Sequence, residues 1–142
     1  ILHDISYFVN SKSHHKHSAA LIIASEILGL NHDDMTIIAQ VARYHRKSPP
    51  QHEHPHFSVL PVRQRIIISS LSAIIRIADA LDRAHIQIID DLKLRIGEGE
   101  CEMFVKMKHY TTEHLTMLRT VVSGKSDLFE SFYGLSLTLT KM

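Results

Sequence analysis

A single cysteine, Cys101, is the only thiol in this 142-residue chain, which also lacks tryptophan and has just four prolines and five glycines. One thiol excludes an internal disulfide and is expected of a reducing compartment, so a cytoplasmic location is anticipated. No apolar run approaches the roughly twenty residues that cross a bilayer, and no membrane partner is expected. Neither a basic leader nor a small-residue cleavage site opens the chain. It begins in the middle of a motif, as a fragment would. Charge of one sign is lacking too: the net value is +1 with neutral histidines, which gives no general case for a specific nucleic-acid partner.

Histidine is abundant, with twelve residues, many of them between His3 and His56. Such a cluster suits a metal ion or a polyanion, and only the spacing can choose between them.

The apolar periodicity predicts a helix over residues 15–28, closed by Gly29. A second helix is predicted after an Asn31 cap, with Asp33 and Asp34 in its first turn and Met35, Ile38, Val41, Ala42 and His45 along one stripe. The segment "SPPQHEHPHFSVLP" reads as a loop. A long helix is expected over residues 62–84, with Ile67, Leu71, Ile74, Ile75, Ala78 and Leu81 as its buried face. The alternation in "LKLRIGEGECEMFVKM" around Gly97 and Gly99 marks a β-hairpin. Helical stretches from Thr112 and over residues 126–132 follow, and "LSLTLT" ends the chain as a strand. The expectation is a mainly α protein: a helical bundle over residues 1–90, then a small α+β cap over residues 91–142.

Three groups of residues carry chemistry. His3 and Asp4 offer an imidazole and a carboxylate to a divalent cation such as manganese, iron, zinc or magnesium. Asp79, set among apolar neighbours in "RIADALDR", needs an arginine or a metal as counter-charge and is a candidate third ligand; His17 and His45 are candidate further ones. "HHKHS" puts Lys16 and His17 at a helix N-terminus, where backbone N–H groups and the dipole favour anions. "ARYHRK" puts Arg43, His45, Arg46 and Lys47 at a helix C-terminus, where a purely dipole-compensating role is the simpler account of Arg46 and Lys47. Arg76, Asp79, Asp82 and Arg83 have the spacing of intrahelical ion pairs. Cys101 has no basic neighbour in sequence and reads as a buried structural thiol.

Taken in order, "LHDIS", "HHKHS", "VARYHRK", "RIADALDRAH" and "KSDLFESFYGLSLTLT" resemble the C-terminal HD-type helical region of the exopolyphosphatase and guanosine pentaphosphate phosphatase (Ppx/GppA) family, over essentially the whole chain. The resemblance implies an HD-domain-like bundle with a small α+β end, preceded in the parent by actin-like domains that hydrolyse phosphoanhydride bonds with magnesium or manganese. It implies a region that completes the active-site cleft and binds polyphosphate or guanosine pentaphosphate through Lys16, His17, Arg43, His45, Arg46 and Lys47. The fragment alone would lack the main catalytic domains. The wider HD superfamily implies an alternative, a stand-alone metal-dependent phosphohydrolase acting on nucleotides, with manganese, iron or zinc on His3, Asp4 and Asp79. Its pattern begins with a further histidine that would precede Ile1. Ser6 stands where the family usually has glycine, and Gln64 where an acidic residue commonly precedes arginine. A third reading is a homodimerisation domain whose His-Asp pair only caps and braces helices.

Overall fold

The structure, a computed structural model, describes residues 2–8, 12–108 and 111–142. The chain forms two compact units, residues 1–75 and 76–142. The division falls inside a helix, upstream of the change of character expected at residue 90. The reason is visible in the second core, which takes Ile77 and Ala80 from the end of that helix.

The first unit opens with a short 3-10 turn, Leu2–Asp4, followed by α1 (His14–Ala24), α2 (His32–Tyr44), a single turn α3 (Pro55–Ser58) and the start of α4 (Val62–Leu81). Helix α1 stops at Ala24, short of the expected residue 28. Ser25 is extended, with its hydroxyl donating to the Leu21 carbonyl at 2.6 Å and its N–H to that of Ile22. Those bonds close the last turn locally. Helix α2 starts as anticipated: Asp34 N–H donates to Asn31 Oδ1 at 2.9 Å and Asn31 N–H to Asp34 Oδ2 at 3.1 Å. This reciprocal box satisfies two of the helix's otherwise orphan donors. Ala19 and Ile22 of α1 pack on Met35, Ala39 and Ala42 of α2. Small alanines at this seam let the helix axes approach closely, which places the start of α1 beside the end of α2.

Helix α4 differs from expectation in which face it buries. Ile68, Ser72, Ala73, Arg76, Ile77 and Ala80 are buried, whereas Leu71, Ile74 and Ala78 are exposed. A helix apolar around most of its girth carries little periodic signal to orient it.

The second unit adds β1 (Ile89–Ile96), β2 (Glu100–Met107), α5 (Thr112–Ser123), α6 (Asp127–Tyr133) and β3 (Ser136–Lys141). Strands β1 and β2 form the expected antiparallel hairpin, turning at Gly99 with φ +76°, while β3 pairs in parallel with β2 after the α5–α6 crossover. Alternation puts Cys101, Met103 and Val105 of β2 and Leu139 of β3 on one face, covered by Leu115, Leu118 and Val122 of α5. Leu92, Leu94 and Ile96 of β1 are in register beside those buried β2 residues, yet they are 37%, 54% and 66% exposed. The architecture is therefore α+β, with all three strands in the second unit. Arg76 is almost fully buried and meets Asp127 at 3.4 Å, a partner outside its own helix. Asp82 turns back to accept from the Gln87 N–H at 2.9 Å.

Candidate functional site

The start of the chain is anchored by a small hydroxyl network. Ser6 is fully buried; its hydroxyl donates to the His14 carbonyl at 2.7 Å and lies 3.0 Å from Ser18 Oγ, which also accepts from the Ser6 N–H at 3.3 Å. These bonds hold the 3-10 turn against the first turn of α1, where a glycine at position 6 would supply none of the side-chain contacts.

That anchoring brings Asp4 to the helix ends. Its Oδ1 is 3.2 Å from His14 Nε2 and 3.5 Å from His45 Nε2, and the two imidazole nitrogens are 3.2 Å apart. His3 Nε2 meets the other carboxylate oxygen at 3.0 Å. His14 and His45 are buried, while Asp4 is partly exposed. His45 Nδ1 lies 2.6 Å from the Ala42 carbonyl, which can only accept, so the proton sits on Nδ1 and Nε2 presents a lone pair. Burial pushes the His45 pKa down to about 4, against the opposing pull of the Ala42 carbonyl, and the ring is neutral at pH 7.

One residue further along each helix end, the side chains point elsewhere. His15, Lys16, Arg43, Tyr44, Arg46 and Lys47 line a cavity of about 470 Å³, completed by Lys12, Ser13, Ser48 and His54. Neighbours on a helix diverge by about 100°, so His14 and His45 enter the histidine cluster while His15 and Tyr44 face the cavity. Five cationic side chains, and no carboxylate among the described residues, line this space. The start of α1 adds the positive end of a helix dipole, and Ser13 makes no side-chain cap there. Lys47 has φ +61°, a left-handed conformation that is uncommon for a residue with a Cβ. Burial, then the adjacent His14, Lys16, Arg43 and Lys47, lower the His15 pKa to about 4. The neutral imidazole is thus a hydrogen-bonding group in a cationic wall. Tyr44 stacks on His54 with ring centroids 5.5 Å apart, and its hydroxyl reaches His54 Nδ1 at 3.1 Å.

Of the residues expected to meet a polyanion, Lys16, Arg43, Arg46 and Lys47 come together. His45 is committed to the histidine cluster, and His17 is exposed on α1 outside the cavity lining. Lys12, His15, Ser48 and His54 join the wall without having been anticipated. Of the expected metal ligands, His3 and Asp4 are in contact, and Asp79 is a half-buried residue of the second unit. His14 was missed. Its signal was the spacing to Ser18: residues four apart share a helix face, and both are buried.

The cationic cavity thus lies at the junction of two helix ends, beside the His-Asp cluster. Residues 1–121 match domain III of the Ppx/GppA phosphatases. The chain belongs to the Ppx/GppA phosphatase family, as its third domain. That membership does not favour the reading of a stand-alone HD phosphohydrolase.

Proposed function

We propose that this domain binds a linear polyanion, inorganic polyphosphate or guanosine pentaphosphate, in the cavity between the start of α1 and the end of α2, and there completes the active-site cleft of its parent phosphatase. The observation that carries the reading is the cavity wall: Lys12, Lys16, Arg43, Arg46 and Lys47 all line it, and no carboxylate does among the described residues. Gathering like charges costs self-repulsion, which a bound anion removes. Arginine can grip a phosphate with two parallel hydrogen bonds, and the lysines add mobile point charges.

In this reading the phosphoanhydride chemistry, with magnesium or manganese, belongs to actin-like domains of the same parent chain. The first unit takes the part of an HD-type bundle in a cytoplasmic enzyme that can associate as a homodimer.

The test is polyphosphate affinity at two salt concentrations for the wild type, Lys16→Ala, Arg46→Ala and His17→Ala. Affinity is expected to fall steeply with salt, and the slope to flatten when Lys16 or Arg46 is removed. His17→Ala should behave as wild type. Salt-independent or undetectable binding by the folded wild type would overturn the proposal.

A further inference from the structure

The three donor atoms contributed by Asp4, His14 and His45 form a triangle with edges of 3.2, 3.2 and 3.5 Å. Metal–ligand bonds of about 2.0–2.1 Å at tetrahedral angles give ligand–ligand edges of about 3.3–3.4 Å. We propose that Asp4 Oδ1, His14 Nε2 and His45 Nε2 bind one zinc-class divalent ion, which ties the start of the chain to the facing ends of α1 and α2.

Two observations beyond proximity support this. His45 Nδ1 is held by the Ala42 carbonyl at 2.6 Å, which fixes the ring and directs the Nε2 lone pair into the triangle. Metal-binding imidazoles commonly use their second nitrogen in this way. His45 Nε2 and Asp4 Oδ1 are also both acceptors, 3.5 Å apart, with His14 Nε2 at 3.2 Å from each, so an ion at the centre of the triangle would face all three donor atoms at once. His3 Nε2 meets the other carboxylate oxygen, Oδ2, at 3.0 Å, which orients the Asp4 carboxylate.

Two imidazoles and one carboxylate suit zinc, iron or nickel better than magnesium, which prefers an all-oxygen shell. The ion's role is structural: it joins the end of α2 to the chain start and α1, which the Ser6 network already links. The proposal does not depend on the cavity binding anions.

Chelator-treated protein titrated with zinc, in the absence of any phosphate, tests it. The tightest zinc site should have a stoichiometry of one per chain, raise the unfolding temperature and show no competition from millimolar magnesium. Asp4→Asn, which preserves shape, and His45→Gln should each weaken that site at least tenfold, whereas His17→Ala should leave it intact. Cobalt in the same site should give the intense visible absorption of a tetrahedral centre. No tight zinc site in the folded wild type would overturn the proposal. So would a site that survives Asp4→Asn and His45→Gln but is lost in His17→Ala, since the exposed histidines would then be the ligands.

Discussion

Ser6 Oγ donates to the backbone carbonyl of His14 at 2.7 Å, and this bond couples the His3-Asp4 dipeptide to the helix that faces it. The hydroxyl is fully buried and shared with Ser18, so removing it breaks two contacts at once. Ser6→Ala should lower stability by about 1–3 kcal/mol, the cost of buried polar groups left without partners. The measurement is a urea titration of the chain, where the midpoint should fall with the slope unchanged. An unchanged midpoint would contradict the role assigned to this hydroxyl.

Met103 and Leu94 are paired across β1 and β2, but only Met103 is inside the core. Met103→Ala should cost about 2–5 kcal/mol, since it removes methylenes and leaves a void. Leu94→Ala should change stability by less than about 0.5 kcal/mol, as expected at an exposed site. Equal losses in thermal unfolding would mean that the β1 column is covered in solution.

Cys101 is buried on the central strand, and burial raises its thiol pKa above the ordinary value. Both effects suppress the thiolate, the form that reacts. Native protein should therefore react with a disulfide reagent only as fast as the second unit opens, with full reaction in denaturant. Rapid stoichiometric labelling under native conditions would show the strand to be accessible.

Gly134 ends α6 with φ +67°, and a Cβ placed there would meet nothing within 4 Å. The cost of Gly134→Ala is then purely conformational, about 1–2 kcal/mol. Gly124 ends α5 at φ −70°, so Gly124→Ala should be close to neutral. Thermal unfolding of the two variants side by side checks the contrast.

Much of the chain was legible where local chemistry decides structure. The Asn31 cap, the Gly97–Gly99 hairpin and the closing strand all appear as anticipated. Lys16, Arg43, Arg46 and Lys47 were legible because each cluster lies within a single helix end. The histidine cluster was harder. "HHKH" offers three imidazoles, and the packing of Ala19 and Ile22 on α2 together with the Ser6 network turns His14 inward while His17 faces water. Nor could period orient α4, whose inward stripe includes Ser72 and Arg76 while Leu71 and Ile74 stay outside. That choice depends on long-range partners: Ile68 packs with Tyr44 and Phe57 in the first unit, and Ile77 with the sheet in the second.

Lys47 holds a left-handed backbone within the cationic wall. Glycine would adopt that conformation without strain, so Lys47→Gly relaxes the chain while deleting a positive charge. Stability and, under the proposed polyanion binding, ligand capture therefore rank the residues at this position in opposite orders. A variant library sorted for heat resistance alone would drift toward glycine here, and its winners would have surrendered part of the cavity's charge.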